Sequence, residues 1–286
     1  MQVGIVFPQV EIGSDPGAIR AYVDAVSGLG YRHLLAYDHV VGADPTVHVG
    51  WKGPYDIHST FHEPMVLFGY LAGITDLELV TGIVIAPQRQ TVLLAKQAAE
   101  VDVLTGGRLR LGVGLGWNRL EYEALGKEFS DRSKRLVEQV TLLRRLWSDQ
   151  SVTFEGEYEE VHGVGLAPMP VQRPIPIWVG GSAESALARI GRLADGWFPQ
   201  APLGPDLDKA IRIVTESAEQ AGRAPIPFEG RVTVGNDRAE AIEAQVNGWR
   251  EIGARYLSLN TMGQGYGTVE QHIAALSQAA PMVLTD

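Results

Sequence analysis

Residues 78 to 121 read ELVTGIVIAPQRQTVLLAKQAAEVDVLTGGRLRLGVGLGWNRLE, and their order decides the fold. Leu79 to Ile85 is apolar and rich in β-branched residues, which predicts a buried strand. Val92 to Leu104 places apolar residues at three- and four-residue intervals, which predicts a helix, and Gly106-Gly107 supplies its stop. Leu109 to Val113 is a second apolar strand. Two strands running the same way need a crossover of roughly a dozen residues, and a helix provides it. The segment is therefore a β/α/β unit, and both of its strands end among glycines.

The same alternation extends in both directions. Further strand-like runs occur at Val3 to Phe7, His33 to Tyr37, Ile175 to Val179, Gly196 to Phe198, Arg231 to Val234 and Arg255 to Leu259. Helical periodicity marks Ala18 to Leu29, Met65 to Ile74, Ser133 to Trp147, Ala183 to Leu193, Leu207 to Gln220, Arg238 to Glu251 and Val269 to Ala279. Gly30, Gly222 and Gly253 stand where a left-handed residue closes a helix. Eight strands each followed by a helix predict an α/β fold of the TIM (β/α)8 type, and 286 residues suit one such domain spanning 1 to 286. Two insertions interrupt the repeat: residues 41 to 62 after strand 2, and residues 148 to 174 after strand 4, read as a short hairpin and a proline-rich return.

Composition narrows the function. With 24 basic and 34 acidic residues the net charge is −10, which weighs against a nucleic-acid or anionic-membrane partner. The densest basic cluster, Arg132, Lys134, Arg135, Arg144 and Arg145, is interleaved with leucines and valines and reads as a solvated helix face. The chain has no cysteine, so disulfides, thiolate metal sites and cysteine nucleophiles are excluded. No apolar run approaches the roughly 20 residues of a spanning helix. The opening MQVGIVFPQVEIG reads as a first buried strand rather than a leader, so the expected location is the cytoplasm.

Chemistry-bearing residues gather at predicted strand ends, where a barrel places its active site. Strand 2 ends in Asp38-His39, a carboxylate beside an imidazole; a capping Asp and a packed His read the same way. Strand 3 contains Gly82, which marks either a bulge or a close approach of backbone to ligand. Strand 4 runs into Gly112-Val113-Gly114-Leu115-Gly116-Trp117, whose spacing is not that of the dinucleotide fingerprint. Strand 5 runs into Val179-Gly180-Gly181-Ser182, a phosphate cradle at a helix start or simply an N-cap serine. His58, His62 and Glu63 have ligand-like spacing, but Pro64 breaks the helix that would align them, so no metal is expected. Trp51, Tyr55 and Phe61 in the first insertion are the expected substrate lid.

Several stretches together carry a family resemblance: YDHV at 37 to 40, HEPMVLFGYLAGIT at 62 to 75, the run from Glu78 to Leu120, ALGKEFSDRSKRLVEQVTLLRRLW at 124 to 147, IPIWVGGSAESALARIGRLADGWFP at 175 to 199, and GARYLSL at 253 to 259. In this order they resemble the luciferase-like monooxygenase superfamily, and most closely its coenzyme F420-dependent oxidoreductases. The resemblance implies a flavin or deazaflavin ring in the barrel mouth, backed by a bulge at the end of strand 3 at Gly82, Ile83 and Val84; Gly114 and Gly116 of strand 4 would let a ring lie against bare backbone, and Trp117 would stack on the ring or narrow the pocket. The resemblance also implies a non-prolyl cis peptide at Ile83 to Val84, a cofactor phosphate at Gly180 to Ser182, and Asp38 and His39 beside the ring. One departure stands out: where the F420-dependent glucose-6-phosphate dehydrogenases carry a glutamate, this chain carries Trp117, so sugar-phosphate oxidation is not implied.

The resulting expectation is an F420-dependent oxidoreductase that exchanges a hydride with a small organic substrate, with His39 as acid/base, Asp38 positioning it, and a homodimeric assembly as is common in the family. FMN with monooxygenase or reductase chemistry is the alternative cofactor reading. A catalytically silent barrel acting as a binding protein is the second alternative.

Overall fold

A computed structural model describes residues 1–235 and 239–284. Its barrel strands are β1 (Gln2–Val6), β2 (His33–Ala36), β3 (Glu78–Thr81) with the short continuation β4 (Val84–Ile85), β5 (Leu109–Gly114), β8 (Ile177–Gly180), β9 (Gly196–Phe198), β10 (Glu229–Thr233) and β11 (Tyr256–Asn260). The helices are α1 (Pro16–Gly28), α2 (Pro64–Leu71), α3 (Thr91–Thr105), α4 (Arg119–Ala124), α5 (Arg132–Ser148), α6 (Glu184–Leu193), α7 (Pro205–Gln220), α8 (Ala239–Glu251) and α9 (Val269–Val283). A hairpin of β6 (Val152–Glu155) and β7 (Glu160–Val164) fills the second insertion, as its sequence predicts.

All neighbouring barrel strands pair in parallel, in the order β10-β11-β1-β2-β3-β5-β8-β9. The ring is closed by the parallel bridge between Trp197 and Phe228, where the Trp197 N–H donates to the Pro227 carbonyl at 3.0 Å. Each parallel crossover is satisfied by a helix laid on the outside, so the alternation read from residues 78 to 121 recurs around the whole barrel. Among the described residues no helix is long and apolar enough to cross a membrane.

Two predicted elements need correction. The strand expected over Leu79 to Ile85 breaks at Thr81, because inward-facing Gly82 lies against the Leu35 side chain, where any Cβ would overlap. The cis peptide accordingly lies at Gly82–Ile83, one bond earlier than Ile83–Val84. The predicted start of the seventh long helix, Arg238, lies outside the described residues; that helix is described from Ala239. The short helix α4 lacks the length for a periodic signal and escapes sequence reading.

The barrel interior is layered. At its floor Arg110, 1% exposed, pairs with Glu229 and with Glu78 at 2.9 Å, and its guanidinium lies 4.4 Å and 4.1 Å from the Trp178 and Tyr256 ring centroids. His33 and Ser258 complete the hydrogen bonding of Glu229. Burial alone would raise the Glu229 carboxyl, but Arg110 and His33 outweigh it and hold it far below the usual carboxylate range. Above this floor Val6, Leu35, Val80, Trp178 and Phe198 form an apolar plug. A much larger apolar layer joins the outer faces of the strands to the helices. Above the plug, at the C-terminal end of the strands, the barrel opens.

Candidate active site

The opening is a cavity of about 620 Å³, within the range of pockets that bury a cofactor-sized molecule. One wall is nearly bare backbone: Gly82 and Ile83 after β3, Gly114 and Gly116 at the end of β5, Gly180 at the end of β8. These strands are consecutive in the sheet, so the glycines stand side by side, with the Ile83 side chain against Gly114 and Gly180. Their individual reasons differ. A Cβ on Gly114 would come within 2.7 Å of the Ile83 side chain, so Gly114 lets two segments close up. A Cβ on Gly180 would meet only Ile83 Cγ2 at 3.7 Å and Gln200 Nε2 at 3.8 Å, so it would project into the cavity rather than into protein.

Val179, Gly180, Gly181 and Ser182 line the cavity next to the start of α6. The N-cap of that helix is Ala183, and no side chain caps it. Ser182 is exposed and leaves the first N–H groups of α6 unclaimed, which the capping alternative does not allow. Arg189, one turn further along α6, also lines the cavity. Unclaimed amides, a helix start and a guanidinium are the donor set of a phosphate site. A tricyclic cofactor with a phosphate tail fits these walls.

Asp38 and His39 both line the cavity but do not act on each other. Asp38, 4% exposed, accepts two hydrogen bonds from Arg89 at 2.7 Å and 2.8 Å and one from the Ile85 N–H at 3.1 Å. Burial lowers the Arg89 guanidinium, yet Asp38 and Glu63 overcome this and raise it above its ordinary value. Asp38 therefore fastens the backbone that follows Gly82 and Ile83. The expectation that it fixes the His39 ring is corrected by Glu121 of α4, both of whose oxygens lie 3.3 Å from His39 Nδ1.

Glu121 is fully buried and also accepts the Val40 N–H at 2.7 Å. Burial pushes its carboxyl up, but the hydrogen bonds from His39, Val40 and Val41 prevail and hold it below the usual value. With Nδ1 engaged as a donor, Nε2 of His39 is the ring nitrogen left for a ligand. Sequence reading misses this pair because the residues are 82 positions apart and Glu121 looks like any acidic residue opening a helix. Its one local signal is Asn118, whose side chain accepts the Leu120 N–H and starts the helix that carries Glu121 inward.

The remaining predicted residues divide. Tyr55 and Trp117 line the cavity; Trp51 and Phe61 do not. All four nonetheless pack together, with the Tyr55, Phe61 and Trp117 ring centroids 4.9, 4.7 and 5.8 Å from that of His39 and Trp51 5.9 Å from Trp117. They form an aromatic collar around the imidazole. Val84 is turned away from the cavity into the layer beneath the helices.

The basic cluster on α5 also needs revision. Arg132 lines the cavity and stacks on Phe129 at 3.6 Å, and Arg144 binds Asp195 at 2.9 Å. Tyr37, Gln200 and Arg231 line the cavity too and were not anticipated. Among the described residues no three His, Asp or Glu side chains gather as metal ligands would. His62 instead lies 3.2 Å from the Gly13 carbonyl, and Glu63 caps α2.

The profile of luciferase-like monooxygenases matches residues 1–281. This chain belongs to that family. Among curated relatives it is 30% identical over 257 residues to the F420-dependent hydroxymycolic acid dehydrogenase of Mycobacterium tuberculosis, covering 87% of this chain and 66% of the relative. It is 34% identical over 143 residues to the FMNH(2)-dependent dimethylsulfone monooxygenase of Pseudomonas fluorescens, covering 48% and 39%. The mycobacterial proteins it matches at 37% identity are uncharacterized, and the match spans 58% of their length. A solved F420-dependent secondary alcohol dehydrogenase, in complex with an F420-acetone adduct, superposes with a TM-score of 0.80 at 17% identity over 100% of this chain and 99% of that one, which shows the shared fold.

Proposed function

We propose that this protein is an F420-dependent oxidoreductase acting on a small organic substrate at the barrel mouth. The observation that carries the reading is His39, its Nδ1 held by Glu121, in the lining of a cavity that also takes in Gly82, Gly114 and Gly116 and the Gly180 to Ser182 segment leading into α6. The 30% identity to an F420-dependent dehydrogenase over 87% of the chain supports F420 as the cofactor.

When bound, F420 supplies reversible two-electron hydride exchange. The chain supplies the rest. Gly82, Ile83, Gly114, Gly116 and Val179 seat the ring; Gly180, Gly181, Ser182 and Arg189 take the phosphate. His39 Nε2 gives or takes the proton that accompanies oxidation or reduction of the substrate, and Glu121 stabilises the imidazolium that results. Tyr55, Phe61 and Trp117 pack around the imidazole and orient it, with Trp51 against Trp117. Asp38 is a positioning residue for the wall.

FMN is the second reading, favoured by the FMNH(2)-dependent relative. Fluorescence titration with F420 and with FMN tests both. Binding of F420 at low micromolar concentration, tighter than FMN, is expected. Tighter binding of FMN would move the assignment to the alternative, and failure to bind either would leave a barrel that serves as a binding protein. A homodimer is carried forward as a proposal on the exposed apolar side chains Val66 and Tyr70 of α2 and Val92 and Leu93 of α3, to be checked by sedimentation equilibrium.

A further inference from the structure

The cavity is cationic in a chain that is strongly acidic. The protein carries a net charge of −10, yet Arg132, Arg189 and Arg231 line the opening together with a single carboxylate, Asp38. That carboxylate is fully engaged by Arg89 and the Ile85 N–H. Whatever enters is therefore met by uncompensated positive charge.

The three arginines do not serve one ligand group. Arg189 stands on α6 beside the open amides of the phosphate cradle. Arg132 opens α5 and is spread over Phe129, with its Nη1 donating to the Phe129 carbonyl. Arg231 is on the inner face of β10, whose sheet neighbours are β11 on one side and β9 across the closing bridge. It is absent from the β3, β5 and β8 wall that seats the ring.

Arg132 and Arg231 both have a buried Nε without a hydrogen-bond partner, but Arg132 spends its Nη1 on the Phe129 carbonyl, whereas among the described residues the Arg231 guanidinium donates no hydrogen bond. The Arg231 guanidinium lies 5.5 Å from the Tyr37 ring centroid. Glu229, two residues back and facing the same interior, is already bound by Arg110, His33 and Ser258. Among the described residues no acidic side chain pairs with Arg231. A half-buried guanidinium with an unmet N–H is costly to keep unless a ligand completes it. Tyr37 lies beside Arg231 and Phe198 is on β9, the strand across the closing bridge, and a planar fork in such a setting matches a carboxylate.

We propose that Arg231 is the substrate-anion site: the molecule that reacts in this cavity is an organic acid whose carboxylate binds the Arg231 guanidinium. This deepens the proposed function and rests on the cavity being its active site. It fixes the substrate class without fixing the bond that reacts. A neutral analogue leaves the guanidinium unpaired, so the site discriminates acids from amides rather than large substrates from small ones.

The test uses matched probes: benzoate, phenylacetate and indole-3-acetate against benzamide, phenylacetamide and indole-3-acetamide, by saturation-transfer NMR and calorimetry on the F420-loaded protein. At least one acid should bind about tenfold or more tighter than its amide, the gain of a charge-assisted hydrogen bond. Arg231→Gln should erase that difference while F420 affinity, read by its own fluorescence, stays within about twofold. Arg231→Lys keeps the charge without the fork; should the glutamine variant not fold, this one must still reduce the preference. Equal binding of acids and amides, no binding by any acid, or an unchanged preference in Arg231→Gln overturns the proposal. Failure of F420 and FMN to bind counts against the proposed function instead, because the acid preference is then measured on the cofactor-free protein and still decides the role of Arg231.

Discussion

Gly180→Ala separates folding from ligand binding at the cradle. The added methyl would meet Ile83 Cγ2 at 3.7 Å and Gln200 Nε2 at 3.8 Å, which is ordinary contact, and Gly180 has no left-handed φ to be lost. Stability should therefore hold or rise slightly, by about 0.4 to 1 kcal/mol from the stiffer unfolded chain. The same methyl stands in the space assigned to the cofactor. Forcing one extra methyl into an occupied site costs about 1 to 3 kcal/mol, or roughly 5- to 150-fold in Kd. The assay is a fluorescence titration with F420 and FMN beside a thermal melt. Gly112→Ala is the contrast, since its Cβ would overlap the Thr81 carbonyl oxygen and should unfold the protein without any selective effect on ligand. Unchanged Kd values in Gly180→Ala, with an unchanged melt, would refute the placing of the cofactor against this wall.

Glu121→Gln keeps the shape of the side chain but takes the charge from His39. A charge-assisted hydrogen bond of about 1.5 to 3 kcal/mol is lost, so turnover should drop about 10- to 150-fold. Nitrogen-15 NMR should show the Nδ1–H tautomer giving way to a mixture, which a merely structural role would not produce. Asp38→Asn breaks a buried pair and leaves Arg89 uncompensated, a loss of about 3 to 5 kcal/mol measurable by urea unfolding. Burial lowers the imidazole of His272 from 6.5 to about 4. The unfolded chain therefore binds this proton first, and stability falls as the pH drops from about 6.5 towards about 4. Between pH 7 and pH 5 the loss should be about 2 kcal/mol at most, offset in part by Glu11 Oε2 at 3.4 Å from Nε2, and His272→Gln should flatten that slope.

The barrel was legible because its signals are local. Each strand and helix of residues 78 to 121 announces itself by periodicity, and repetition then predicts the closed sheet without knowledge of any contact. The glycines at the strand ends were legible for the same reason: a residue without a side chain in an apolar strand signals either close packing or a ligand. Sequence could not tell these apart. Gly112 and Gly114 serve packing against Thr81 and Ile83, whereas Gly180 faces open space. That distinction depends on residues about 30 to 100 positions away.

The site chemistry was legible where one residue type sufficed and obscure where two had to meet. His39 was found from its place at a strand end. Adjacency points to Asp38 as its partner, yet Asp38 is claimed by Arg89 and the Ile85 N–H, and the ring is held by Glu121, 82 positions on. Arg132 was assigned to solvent because helical spacing identifies a face without saying what lies beyond it. Arg231 gave no signal at all, since an arginine in a strand pattern usually faces water; only barrel closure turns alternate residues of β10 inward.

The arrangement at the end of β2 has a consequence for how the protein divides its work. Asp38 and His39 each use a carboxylate–cation contact, but one pair is built for permanence and the other for change. The Asp38–Arg89 pair has two close hydrogen bonds and pins the Ile85 amide. It cannot exchange a proton without losing the wall it fastens. The His39–Glu121 pair is longer, at 3.3 Å, and one member is an imidazole, a side chain that can donate or accept a proton. Glu121 is anchored independently of that proton by the Val40 N–H at 2.7 Å, so a change at His39 does not release α4. Loss of Asp38 should therefore appear as loss of fold and ligand together, and loss of Glu121 as loss of turnover with ligand retained. Two carboxylates, one residue and 82 residues from His39, are distinguished by what they hold and not by how near they stand in the chain.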